Sequence, residues 1–161
     1  MTKVFKIGRN NEVTASKYMF DSSSNHSSKT KDTINTLIQV VDDEFDIVNV
    51  IRIYLQGRGL NALGFTDPLL ALEHFKVNCK NYSLVISDIR MPGMNGFEYV
   101  RKVRDINPEI KVLLMSAFEI NSAELSAGLK GDSIEAFIQK PIPLDDLGSI
   151  VQAQLKTKVM S

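Results

Sequence analysis

The sequence predicts an α/β protein with a doubly wound, five-stranded parallel sheet, and three observations carry that expectation. Short runs rich in β-branched residues alternate with stretches whose apolar residues recur at helical spacing. This strand-helix alternation occurs five times between Leu37 and Leu155. Each strand is followed by a helix-length segment, as parallel neighbours require, and such crossovers cover both faces of a sheet.

The first unit opens with the apolar run LIQVV at 37 to 41, after which Phe45, Ile47, Val48, Ile51, Tyr54 and Leu55 take helical spacing. Gly57 and Gly59 stop that helix. A second strand, Leu60 to Phe65, leads to Asp67-Pro68, where Asp suits a helix cap and Pro the first turn. Leu69, Leu72 and Phe75 are expected to form the buried stripe of that helix. The third unit has a strand from Leu84 to Ser87, a Pro/Gly-rich loop, and a helix from about Phe97 that turns Val100, Val103 and Ile106 inward. Asn107-Pro108 ends it, because the residue before proline disfavours the helical conformation. A strand at Lys111 to Met115, a weaker helix at Ser122 to Leu129, a strand at Ala136 to Ile138 and a last helix bearing Leu144, Leu147, Val151 and Leu155 complete the alternation.

With 161 residues and 43% apolar composition the chain has enough material for one domain with a real core. Formal net charge is zero, but residues 1 to 35 hold six Lys/Arg against three Asp/Glu, leaving 13 against 16 for the remainder. Neither part is basic enough to argue for nucleic acid, so no direct DNA binding is expected. The apolar runs are too short for a membrane span and no signal-type block follows Met1, which together point to a cytoplasmic protein with no membrane contact. Cys79 is the single cysteine and is expected to be a reduced structural or surface thiol. His26 and His74 have no catalytic context and are expected to be solvated.

Residues 1 to 35 form an N-terminal extension. Its segment DSSSNHSSKTKDT, from Asp21 to Thr33, has no aliphatic or aromatic side chain and reads as a flexible linker. Residues 36 to 157 make up the folded domain, and 158 to 161 are a short tail.

In such a sheet functional groups gather beyond the carboxyl ends of the strands. Asp42 and Asp43 follow the first strand, Asp88 the third, Ser116 the fourth and Lys140 the fifth. Clustered carboxylates suit a hard cation such as Mg²⁺, while a hydroxyl and an ammonium suit phosphoryl oxygens. Taken singly, each has a plainer use: Asp42 or Asp43 as a helix cap, Ser116 as a helix-start residue, Lys140 as a solvated charge. Their conjunction on one rim is what points to phosphoryl chemistry.

The segments VVDDE (40 to 44), SDIRMPGMNGFE (87 to 98), LLMSA (113 to 117) and FIQKPI (137 to 142) resemble the signature segments of response-regulator receiver domains from two-component signalling. The resemblance covers roughly Thr36 to Leu155 and implies a flavodoxin-like (βα)5 fold with strand order 2-1-3-4-5. It implies that Asp88 takes a phosphoryl group from a phosphohistidine and that Asp43 and Asp88 bind Mg²⁺ directly. Asp42 would assist partly through water, and the backbone carbonyl of Arg90 would complete the protein's share of the metal shell. Ser116 and Lys140 would grip the phosphoryl oxygens, and Phe137 would be the switch aromatic that turns inward, against the alternative of a plain core phenylalanine. The side chain of Arg90 is expected at the site mouth, and Gly93 and Gly96 are expected to shape the loop after Asp88.

The resemblance further implies a sensor histidine kinase or histidine phosphotransfer protein as phosphodonor and a downstream protein as target. Output through the face of helix 4, strand 5 and helix 5, where dimers can also form, is expected of a stand-alone receiver. Two other readings compete. One is a Mg²⁺-dependent phosphohydrolase with an aspartyl-phosphate intermediate, which would need a second acid where Arg90 stands. The other is a receiver-like interaction module that never takes phosphate.

Overall fold

The computed structural model describes residues 36–156. The N-terminal extension, the linker and the tail expected from the sequence lie outside the described residues. Five strands alternate with five helices: β1 (Leu37–Val41), α1 (Phe45–Gly57), β2 (Asn61–Phe65), α2 (Pro68–Asn78), β3 (Tyr82–Asp88), α3 (Gly96–Ile106), β4 (Lys111–Ser116), α4 (Ser122–Leu129), β5 (Ala136–Gln139) and α5 (Leu144–Lys156). All neighbouring strands are parallel and stand in the order β2-β1-β3-β4-β5. The fold is therefore the flavodoxin-like one, with its switch in strand order between β1 and β3.

Alternate residues of the central strands feed two cores. Val41, Val85, Val112, Leu114 and Phe137 pack beneath α2, α3 and α4 with Phe75, Tyr99 and Val103. Ile38, Val40, Ile86, Leu113, Met115 and Ile138 pack beneath α1 and α5 with Ile51, Leu55, Leu147 and Val151. Strands buried on both faces read as continuous apolar runs, which is why LIQVV and VLLM stand out in the sequence.

Local chemistry sets the helix ends. Asp67 Oδ1 accepts the Leu69 N–H at 2.8 Å and Pro68 opens α2, as its sequence predicts. Asn95 accepts the Glu98 N–H at 2.9 Å to start α3. Asn121 and Glu124 form a reciprocal capping box at the start of α4.

Two expectations need correction. The buried stripe of α2 is Pro68, Ala71, Leu72 and Phe75, whereas Leu69 is 52% exposed. One residue past Pro68 the helix has turned by about 100°, which carries Leu69 off the inward arc. His74 is half-buried rather than solvated, with Nδ1 2.8 Å from the Tyr82 hydroxyl. Burial holds its imidazole below the ordinary histidine range.

A buried polar network runs behind these elements. Tyr99 donates its hydroxyl to Gln39 Oε1, and Gln39 Nε2 donates to the Ala71 carbonyl at 2.9 Å and to the Tyr82 hydroxyl at 3.4 Å. Gln39 has no exposed surface at all, so this network ties α2 and α3 to the middle of β1.

Candidate functional site

The strand ends bring five sequence-predicted residues to one place. Asp42 follows β1 directly, Asp88 closes β3, Ser116 closes β4 and Lys140 follows β5. Carboxylate oxygens of Asp42, Asp43 and Asp88 all lie within 4.8 Å of one another. Lys140 Nζ is paired with Asp42 Oδ2 and stands 3.0 Å from Asp88 Oδ1. A recess of about 190 Å³ is lined by Asp43, Glu44, Asp88, Arg90, Ser116, Ala117, Phe118 and Lys140.

Backbone contacts fix this rim. Lys140 N–H donates to the Ser116 carbonyl at 2.8 Å, binding the ends of β4 and β5, and the Lys140-Pro141 peptide is cis. Gly93 adopts φ +82°, a region open to glycine. Gly96 N–H donates to the Ile89 carbonyl at 2.7 Å, and a Cβ there would meet the Ile89 Cα at 2.8 Å. The loop after Asp88 can therefore fold back only on a glycine.

The plainer roles weighed for single residues are only partly realised. Asp42 Oδ1 does accept the Glu44 N–H at 2.9 Å near the start of α1, while its other oxygen holds Lys140. The Ser116 hydroxyl accepts the Phe118 N–H at 3.0 Å and does not start α4, which Asn121 caps five residues later. Lys140 is a buried counter-ion, its side chain 9% exposed.

The site's electrostatics follow from burial. Asp42 is fully covered, and burial pushes its carboxyl up to about 6, against the opposing pull of Lys140. Asp88 is raised in the same direction, again by burial first, with Lys140 opposing and Asp43 adding repulsion. For Lys140 burial pulls downward, but Asp42 and Asp88 together hold the ammonium above its ordinary range. One lysine thus offsets only part of the negative charge gathered here, and oxygen-only donors with unbalanced charge suit Mg²⁺.

Phe137 already lies inward, 3% exposed, in the core with Leu114 and Leu129. Besides Ala117, two lining residues were not anticipated from the sequence. Phe118 lies beneath the Arg90 guanidinium, which stands 4.0 Å from its ring centroid, and Glu44 joins the acidic side of the recess. Their signal was positional only: each sits one or two residues beyond a strand-end residue already singled out.

Comparisons with known proteins show the family and the fold. The model of the response regulator receiver domain family matches residues 38–152, and the chain belongs to that family. It is 34% identical over 123 residues to the putative two-component response regulator ARR21 of Arabidopsis thaliana, covering 75% of this chain and 19% of that protein. It is 36% identical over 110 residues to the transcriptional regulatory protein ZraR of Klebsiella oxytoca, covering 68% of this chain and 24% of that one. The chain thus spans about a quarter or less of these relatives. Among solved structures, response regulator TrrA of Thermotoga maritima, in complex with Mg²⁺ and BeF, superposes with a TM-score of 0.64 at 29% identity, covering 74% of this chain and 98% of that one. Among the described residues no helix is long and apolar enough to cross a membrane.

Proposed function

We propose that this chain is a phospho-accepting receiver in which Asp88 takes a phosphoryl group from a phosphohistidine of another protein. The observation that carries this reading is the cluster of three carboxylates facing the Lys140 ammonium in one recess that also holds the Ser116 hydroxyl. In the transfer an Asp88 carboxylate oxygen attacks phosphorus, the O–P bond forms as the N–P bond breaks, and the imidazole leaves with the electron pair and takes up a proton.

Asp42, Asp43, Asp88 and the backbone carbonyl of Arg90 would hold Mg²⁺. When bound, the ion supplies charge that offsets repulsion between the carboxylates and the phosphoryl oxygens. The protein's own residues do the rest. Lys140 neutralises a phosphoryl oxygen, and the Ser116 hydroxyl, whose oxygen accepts the Phe118 N–H, has its O–H to donate to another. Arg90, stacked on Phe118, walls the outer side of the recess.

The partners of such a receiver are a sensor histidine kinase or a histidine phosphotransfer protein and a downstream protein target. The face formed by α4, β5 and α5 is the proposed output surface. The role is signalling in the cytoplasm rather than turnover of a substrate.

Mass spectrometry after incubation with acetyl phosphate and Mg²⁺ tests the reading. The expected result is a single phosphoryl adduct that is absent without Mg²⁺ and absent in Asp88→Asn. Adduct formation unchanged in Asp88→Asn would remove both the site and the mechanism.

A further inference from the structure

At the pole of the sheet opposite Asp88 lies a second concavity, a groove of about 550 Å³. Its walls include Leu37, Leu63, Gln56, His74, Asn78 and Asn81, drawn from β1, β2, the end of α1, and α2 with the turn after it. None of these residues takes part in the phosphoryl site. Along α2 the groove is flanked by an apolar stripe. Leu70, His74 and Val77 stand at i, i+4 and i+7, hence on one helix face. Leu70 is 62% and Val77 84% exposed, the latter a larger fraction than any other large apolar side chain among the described residues. β2 borders the same region and is an edge strand, paired on one side only, with β1.

The chain itself points to an occupant. Leu37, a groove residue, is the first residue of β1, and its N–H donates to the carbonyl of Asn81 on the groove's other wall. Residues 1 to 35 therefore join the fold next to a groove residue, through Thr36. The thirteen residues from Asp21 to Thr33 carry no aliphatic or aromatic side chain. The twenty before them carry Val4, Phe5, Ile7, Val13, Tyr18, Met19 and Phe20. A polar tether of thirteen residues reaches on the order of 20 Å, enough to return an apolar block to the surface it leaves. Such a tether holds the block at about millimolar effective concentration, so even weak contacts are populated. The groove's neutral lining of amides, imidazole and aliphatic groups imposes no charge penalty on a segment whose apolar residues are interspersed with Lys3, Lys6, Arg9, Glu12 and Lys17.

The geometry points to this groove and the Leu70/Val77 stripe as the docking surface for the chain's own residues 1 to 20, making the N-terminal extension an intramolecular partner of the receiver at the pole remote from Asp88. Polar residues 21 to 33 are the tether, and the seven apolar residues are the anchor. Covering the stripe removes apolar surface that is otherwise open to water.

Paramagnetic relaxation in the full chain tests this. Cys79→Ser removes the native thiol, and Asn81→Cys supplies an exposed attachment point for a nitroxide at the groove wall. Docking is expected to erase most of the amide intensity of Val4, Phe5, Ile7, Tyr18 and Phe20 while leaving Ser22 to Ser28, which are closer in sequence to the fold, less affected. Broadening that falls off steadily from Thr36 towards Met1 overturns the proposal. Broadening of those residues only between molecules, seen in a mixture of isotope-labelled and spin-labelled chains, also overturns it and assigns the groove to a second copy. A second measurement leaves the receiver's own residues untouched. Val4→Ser, Phe5→Ser and Ile7→Ser combined should shift the amide signals of Asn61, Leu63 and Asn78, and unchanged signals there would again refute docking.

Discussion

Asp42→Asn should make the protein more stable, although it removes one member of a buried ion pair. The Asp42 carboxyl moves from 3.8 to about 6 on folding, with burial the main cause and Lys140 already counted as an opposing pull. A carboxyl raised on folding binds its proton more tightly in the folded state, so stability falls as pH climbs from about 4 to about 6 and stays lowered above that. At ~1.4 kcal/mol per unit the penalty at pH 7.5 is about 3 kcal/mol. Asparagine never ionises. It keeps an amide oxygen for the Glu44 N–H, and Lys140 keeps Asp88 at 3.0 Å. Urea denaturation in EDTA should therefore show a midpoint about 1–2 M higher for Asp42→Asn at pH 7.5, the gap closing near pH 4. Added Mg²⁺ should stabilise the wild type, by about 1.4 kcal/mol at ten times its dissociation constant, and do far less for the variant. The reasoning fails if Asp42→Asn is destabilised at pH 7.5, because the Lys140 pair would then outweigh desolvation, as when breaking a buried pair costs about 3–5 kcal/mol.

Tyr99→Phe takes away the hydroxyl that donates to Gln39 Oε1, leaving a fully buried amide oxygen without that donor. Chemical denaturation should register a loss of about 1–3 kcal/mol, and Gln39→Leu in the same background should recover part of it. Gly96→Ala drives a Cβ to 2.8 Å from the Ile89 Cα, with the Asp88 carbonyl closer still. It should cost about 1–3 kcal/mol and slow acetyl-phosphate labelling of Asp88. Ordinary labelling with unchanged stability would mean that the loop does not need that close approach.

Elements whose burial is two-sided were the most legible in the sequence. LIQVV, LVIS and KVLLM have few polar interruptions and were placed within a residue or two of β1, β3 and β4. The short α4 was expected only as a weaker helix near Ser122 to Leu129, with Gly128 inside it and Gly131 just after it, and its bounds match Ser122–Leu129. The stripe of α2 was misassigned because leucines at 69, 70 and 72 offer more than one helical face, and only packing against β1 and α3 decides between them. Gln39 was passed over as one polar residue in an apolar run, since its partners lie 32 to 60 residues away. The convergence of Asp42, Asp43, Asp88, Ser116 and Lys140 was legible because strand ends in a parallel sheet converge whatever the loops do. The Arg90–Phe118 stack depends on side-chain direction and left no pattern to find.

The proposed switching route has to pass through the face on which α4 packs. Register pairs Leu114 with Phe137 and Ser116 with Gln139, and Leu114 and Phe137 share a core with Leu129, the one buried residue of α4. Phe137 already occupies the interior, so a phosphoryl group that pulls on the Ser116 hydroxyl acts first, through its bond from the Phe118 N–H, on the loop between β4 and α4, not on an outward-facing ring. α4 is held on its α3 side by the Arg101 guanidinium, which donates to the Gly128 carbonyl at 2.9 Å, and by contact of Phe97 with Gly128, where a Cβ would come within 2.5 Å of the ring. An eight-residue helix that buries only Leu129, with Leu125 partly buried against the same core, is held less firmly than α1 or α5, each of which buries four residues. Energy released by gripping a phosphoryl oxygen is therefore spent most easily on moving α4, which is where a phosphorylation-dependent change of partner surface should arise.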